Sequence, residues 1–248
     1  MKKLHLIVLF FVFATNIFAV ENTISMANEA YQKGSYDEAI TLYESVLDKG
    51  EAPELYYNLG NAYFKTNQIG KSILNYERAL RLNPSFEDAK HNLSLANTKV
   101  LDNIEPIEVF FLSQWIENLK SLLGSNEWAV SSILFFVITL VLLLFYVFSP
   151  KKIVRQTSFF VAIFFFLLSV VFFSFSSSRR NYFEKREAAI VMQGSVTVKS
   201  SPDESGTELF LLHEGTKVTV REVVGEWSEI KIADGNIGWV KNSEIERI

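Results

Sequence analysis

The sequence predicts a multi-domain chain: an all-α helical-repeat module, a two-helix transmembrane hairpin and a small all-β barrel. Three observations carry this. Helical spacing with an internal repeat runs from about residue 22 to 100. Two long uncharged runs follow it, and after them the apolar period changes to strict alternation. The boundaries read as signal peptide 1-20, repeat domain 21-100, amphipathic membrane-proximal helix 101-126, transmembrane helix 127-148, cytoplasmic connector 149-157, transmembrane helix 158-178, basic juxtamembrane segment 179-186 and barrel 187-248.

The uncharged runs are Trp128 to Phe148 and Ser158 to Phe175. A helix of about 20 such residues, rising 1.5 Å per residue, spans the roughly 30 Å hydrocarbon layer of a bilayer. Neither run alternates, so helices rather than barrel strands are expected. The connector carries Lys151, Lys152 and Arg155, which favours the cytoplasmic side. Arg179, Arg180, Lys185 and Arg186 pull the other way, whereas the acidic flank before the first run favours the outside. Lys2, Lys3 and the apolar Leu4 to Phe13 read as a secretory signal, cleaved after Ala19 or kept as an anchor. Either form sends the repeat module outside, and the hairpin returns the barrel to the same side.

The formal charge is −4 and there is no cysteine. The mild acidity leaves no basic stripe for phosphates, so nucleic acid is not an expected partner. Disulfides, thiolate metal sites and cysteine nucleophiles are excluded together.

In the first module, Ala39 and Ser72, and again Tyr43 and Tyr76, are offset by about 33 residues. The second unit reads Tyr56-x-x-Leu59-Gly60-x-x-Tyr63, then Ser72, Tyr76, Ala79 and Pro84. Small Gly60 and Ser72 let two helices approach, Tyr63, Tyr76 and Ala79 fill between them, and Pro84 stops the second. The pattern resembles the tetratricopeptide repeat family. About two and a half repeats are present, fewer than the roughly three of a self-sufficient stack. The module is therefore expected to lean on another surface, the membrane-proximal helix or a partner. A third helix over Phe86 to Lys99 would cover the open end.

The resemblance implies a concave peptide groove on the first helix of each repeat. In the second repeat it places Glu54, Tyr57, Asn58, Asn61, Phe64 and Lys65 there; in the first, Asn28, Tyr31 and Gln32. Asparagine amides both donate to and accept from an extended backbone, although Asn58 and Asn61 are also consistent with a solvated helix surface. Ile24, Asp88 and Asn92 stand where the family's carboxylate clamp needs bases, so capture of an acidic chain end is not expected.

Between Ile104 and Leu123 an amphipathic helix is expected, started by Pro106, with Trp115 on its apolar face. That face suits either the bilayer interface or a cap on the repeats.

Beyond residue 187, Val196 and Val198, Val218 and Val220, and Ile230 and Ile232 alternate, with turn signals such as Asp234-Gly235 between them. Five or six strands are expected. The landmarks Val196-x-Val198-x-Ser200-Ser201-Pro202, Leu212-x-x-Gly215, Trp227-x-x-Ile230 and Gly235-x-x-Gly238-Trp239-Val240 resemble the bacterial SH3 (SH3b) family, with Lys199 where an arginine is usual. Phe210, Trp227 and Trp239 are candidates for an aromatic binding patch, or for core and rim packing. The resemblance implies peptide or cell-wall (peptidoglycan) binding.

No catalytic motif is present. His5, His91 and His213 fall in different modules, and neither HExxH nor a phosphate loop occurs. No cofactor and no enzymatic role are expected. The order of modules resembles the BatE-type proteins of bacterial aerotolerance operons. That resemblance implies an inner-membrane, periplasm-facing scaffold, with Bat proteins carrying von Willebrand factor A domains as partners. A wall-binding anchor or envelope sensor is the alternative.

Overall fold

The computed structural model describes residues 20–105, 107, 110–185 and 187–248. The expected signal peptide, up to residue 19, and the expected helix start at Pro106 lie outside the described residues. The chain divides into two compact units. One combines the segments up to Ile107 and from Glu187 to Ile248; the other is the segment between them.

The first unit begins with five helices: α1 (residues 20–32), α2 (Tyr36–Leu47), α3 (Pro53–Lys65), α4 (Ile69–Leu82) and α5 (Glu87–Asn97). Helices α1 and α2 form one antiparallel pair, α3 and α4 the next. Pro53 opens α3 at a position where no backbone donor is lost. Ala27, Ala39, Tyr43, Leu59, Ala62 and Tyr63 fill the space between the pairs. Gly60 sits where a Cβ would lie 2.7 Å from the Tyr76 ring, and Ser72 Oγ donates to the Gly60 carbonyl at 2.9 Å. The small residues are thus a requirement of backbone approach.

The β portion has seven strands: β1 (Ala188–Val191), β2 (Ser195–Lys199), β3 (Glu208–His213), β4 (Lys217–Val224), β5 (Trp227–Lys231), β6 (Ile237–Lys241) and β7 (Ile245–Arg247). All pairings are antiparallel, in the order β3-β2-β6-β5-β4-β1-β7. This is the expected SH3-like domain, with more strands than expected. β7 is only 3 residues long and follows a 3-10 turn, so it leaves no alternation to read. Val196, Val198, Val218, Val220, Ile230 and Ile232 all point into the core. Gly235 takes φ 93° in the β5–β6 turn, a conformation that favours glycine.

The surface on which the short repeat stack leans is the barrel. Ile73 and Leu74 of α4 and Ala96 of α5 share one buried cluster with Ile190 and Ile248. Around it, Gly70 N–H donates to Glu214 at 2.9 Å, and Arg78 donates to Glu246 at 2.9 Å and to the Arg247 carbonyl at 2.8 Å. Lys217 pairs with Glu77 at 2.7 Å. Gly215 combines φ 90° with a contact in which a Cβ would lie 2.8 Å from Val100, so only glycine lets this turn reach the helices. The repeats and the barrel thus pack together in one compact unit.

The segment after α5 is corrected as well. Residues 101–105 and 107 are not helical. Ile104 packs against the barrel core, and Ile107 N–H donates to the Ala233 carbonyl at 3.1 Å. Barrel contacts thus hold this stretch extended as a strap. The amphipathic helix, α6, covers only Phe111–Ser121, and none of its residues is buried.

In the second unit α7 (Ser125–Phe148) and α8 (Lys152–Lys185) form an antiparallel hairpin. Their stretches Ser125–Phe148 and Lys152–Asn181 are long and apolar enough to cross a membrane. Only Ser149, Pro150 and Lys151 stand outside helix between them, because nothing after Pro150 breaks the helix. Of the residues with helix-breaking or polar character, Ser132 and Ser169 each donate to the other's carbonyl at 2.9 Å. Ser125 and Ser176 repeat the exchange at 3.1 and 2.9 Å. Ser125, Ser132 and Thr139 recur every seven residues, the period of a left-handed seam. Aromatic rings pack along it, Trp128 against Phe172 at 4.9 Å and Phe135 against Phe165 at 5.4 Å.

Candidate functional site

Of the nine groove candidates, all but Glu54 come together on the inner helices. Two adjoining depressions share Tyr31 and Asn61. One, of about 280 Å³, adds Tyr57, Phe64 and Lys65; the other, of about 290 Å³, adds Asn28 and Asn58. Gln32 lines the second; Glu54 is exposed in the first turn of α3 and lines neither.

The two repeats build this surface in the same way. Tyr43 OH donates to Asn28 Oδ1, and Tyr76 OH donates to Asn61 Oδ1, both at 2.6 Å and both 15 residues apart in sequence. Asn92 Nδ2 adds a second bond to Asn61 Oδ1 at 2.7 Å. Burial pushes the Tyr43 and Tyr76 hydroxyls up to about 12, so each stays protonated and must donate. Each asparagine oxygen is therefore held by a tyrosine, which fixes the amide and leaves its NH2 group as a donor. A fixed row of amide donors beside Tyr31, Tyr57 and Phe64 suits the carbonyls and side chains of an extended peptide.

Sequence reasoning missed Tyr43, Tyr76 and Leu95 as groove residues, and read Asn92 only as a missing base. The tyrosines belong to the packing signature, which concealed their second role. The shared 15-residue offset was the available signal.

The three barrel aromatics do not make one patch. Phe210 turns inward and packs against the core, the packing alternative, as strand alternation requires: it sits opposite Val198 and next but one to Leu212. Trp227 and Trp239 share the outer face of β5 and β6. Lys199 Nζ and Lys241 Nζ lie 5.6 and 5.7 Å from the Trp227 ring centre. Glu204 bridges the two ammonium groups at 3.2 and 2.5 Å, and these bonds, that to Lys241 first, hold its carboxyl below the usual range.

Among the described residues no three histidines, aspartates or glutamates group as a metal site. The carboxylate–imidazole pair Asp102–His213 sits between the strap and β3 at 2.6 Å. Asp102 also accepts from the His213 N–H at 2.7 Å and Thr216 Oγ1 at 2.6 Å.

Both parts of this unit match known families. Residues 53–86 match the tetratricopeptide repeat and residues 27–67 a second description of the same repeat. Residues 194–246 match the bacterial SH3 domain. The chain is also 35% identical over 71 residues to the peroxisomal targeting signal receptor of Saccharomyces cerevisiae. That similarity takes in 28% of this chain and only 12% of the yeast protein.

Proposed function

We propose that the protein is a non-enzymatic, membrane-anchored adaptor that captures an extended segment of a partner protein in the groove between Asn28 and Lys65. The observation that carries this reading is the repeated tyrosine–asparagine pair, which fixes amide donors along an aromatic-lined surface. The similarity to a protein whose name marks it as a receptor for a targeting signal supports the same use of the groove. Helices α7 and α8 hold the adaptor in the membrane. Because the repeats and barrel make one body, the segment inserted between them crosses a membrane an even number of times, which supports the two-pass arrangement. The uncovered apolar residues of α6, Trp115 at 58% exposure among them, suit the bilayer interface. The body faces the periplasm of a bacterial inner membrane. Its partners are those implied by the resemblance to BatE-type proteins, von Willebrand factor A proteins of an aerotolerance or envelope-stress complex. Co-purification from a neutral detergent tests this: wild-type protein recovers the partners and Asn61→Ala with Asn28→Ala loses them. Equal recovery by the variant refutes the groove assignment.

A second reading is wall anchoring through the barrel, favoured by the outer face with Trp227 and Trp239, which the docking on the repeats leaves uncovered. Full-length protein sediments with purified peptidoglycan under this reading, and Trp239→Ala abolishes it.

A further inference from the structure

The outer face of the barrel gathers two ammonium groups on one indole ring. Alternation puts Lys199 of β2, Trp227 of β5, and Trp239 and Lys241 of β6 on this face, each part-exposed beside a buried neighbour. Lys199 stands opposite Trp239, and Lys241 opposite Trp227, across the strand pairs. Both side chains lean over Trp227, and the ring face attracts each of them. Two like charges brought this close repel, so the arrangement calls for an anion between them. Glu229, opposite Trp239, does not serve, because it pairs with Arg221 at 3.4 Å.

The chain supplies that anion from a loop. Glu204 lies between β2 and β3 and gives one carboxylate oxygen to each lysine, Oε2 to Lys199 and Oε1 to Lys241. The loop does not need this carboxylate to keep its shape. Ser200 N–H donates to the Thr207 carbonyl at 2.9 Å, Thr207 N–H to Ser200 Oγ at 3.1 Å, and Ser205 N–H to Asp203 Oδ1 at 2.8 Å. Lys199 Nζ also donates to the main-chain carbonyl of Glu204, a bond that stays when the side chain leaves. The Glu204 side chain is 71% exposed even while it bridges the lysines. Water reaches it, and so does a competitor. The site is therefore built to the measure of a carboxylate and is occupied by one held on a short tether.

We infer that Lys199 and Lys241 over Trp227 form a binding site for the carboxylate of a peptide, which displaces Glu204. The inference rests on the reading of this face as an interaction surface, and it names the chemistry that the face selects. A ligand carboxylate keeps the bridge of one oxygen to each ammonium, and Trp239 stands beside the peptide that carries it. A group on a short tether competes at an effective concentration of about the millimolar range. Isolated carboxylates are thus held off. Ligands that add contact with the indoles, or that present many carboxylates together as the peptide stems of a cell wall do, overcome the tether.

The test uses the full chain in nanodiscs of zwitterionic lipid and two fluorescent peptides, dansyl-Gly-Gly-Ala with a free carboxylate and the same peptide as its amide. Glu204→Gln is expected to bind the carboxylate peptide at least about tenfold more tightly than the wild type, because the tethered competitor is gone. The amide shows no such gain, and adding Lys241→Gln to Glu204→Gln removes it. Melting curves establish that each variant is folded. Unchanged affinity in Glu204→Gln, equal binding of acid and amide, or a gain that survives Lys241→Gln overturns the proposal, as does a Glu204→Gln protein that binds neither peptide. Sedimentation with peptidoglycan is read separately. Protein that binds the acid peptide without sedimenting keeps this site and loses the wall reading. Protein that sediments without telling acid from amide keeps the wall reading and loses this site.

Discussion

Asp102 accepts hydrogen bonds from both the backbone N–H and Nδ1 of His213, 111 residues further along the chain. An ionised carboxylate has only lone pairs to offer, so Nδ1 carries the proton. Thr216 completes the set. Asp102→Ala leaves the His213 N–H and Thr216 hydroxyl without this acceptor. A loss of about 2 kcal/mol or more is expected. Hydrogen exchange reads it as faster exchange at residues 188–191 and 213–217, with the α1–α2 pair little changed.

The same carboxyl predicts a pH dependence. Burial raises its pKa, but bonds from Thr216 and His213 outweigh burial and hold it below its ordinary value of 3.8. A depressed folded pKa means the stabilisation is complete at neutral pH and is lost as pH falls below about 4 through the folded value. Acid titration of wild-type protein, followed by melting temperature, falls more steeply there than that of Asp102→Asn.

Gly60→Ala places a methyl group against the Tyr76 ring at 2.7 Å and the Ser72 carbonyl at 3.3 Å. Both neighbours are buried, so overpacking costs about 1–3 kcal/mol. A lower midpoint in chemical denaturation, without a change in its slope, is the expected result.

Tyr76→Phe removes the hydroxyl that orients Asn61 and leaves the Asn92 amide as the remaining donor to its oxygen. Groove affinity for partner peptide is expected to fall about threefold to tenfold, reflecting one lost orienting bond of about 1 kcal/mol. In the wild type the raised tyrosine pKa values mean that this stabilisation is present below pH 10 and lost as pH climbs towards about 12. Isothermal titration at pH 7 and melting curves between pH 9 and 12 check the two statements.

The cysteine-free sequence makes the hairpin easy to interrogate. Ser125 Oγ and Ser176 Oγ lie 3.4 Å apart. Ser125→Cys with Ser176→Cys is expected to form an intramolecular disulfide under mild oxidation, whereas Ser131→Cys with Ser174→Cys is not, since Ser174 is exposed and bonds its own helix. A mobility shift on non-reducing gels distinguishes them.

The local parts of the fold were legible in the sequence because each has a short period. Gly60, Ser72 and Tyr76 declare a close helix pair, and Val218 and Val220 declare a half-buried strand. Docking was not legible. Gly70 and Glu214 are 144 residues apart, and Glu77, Arg78, Lys217 and Glu246 read individually as solvated charges. The groove asparagines were visible by type and position. Their polarity was not, since it depends on which amide end the tyrosines occupy.

The burial of Ile190 and Ile248 against α4 also sets an order of events during synthesis. Residues 20–107 are made first, yet their apolar face around Ile73 and Leu74 stays bare until α7 and α8 have been produced and residues 187–248 follow. Through that interval the nascent repeat stack presents a sticky surface, and it depends on a holding factor or on rapid delivery of the barrel to escape aggregation.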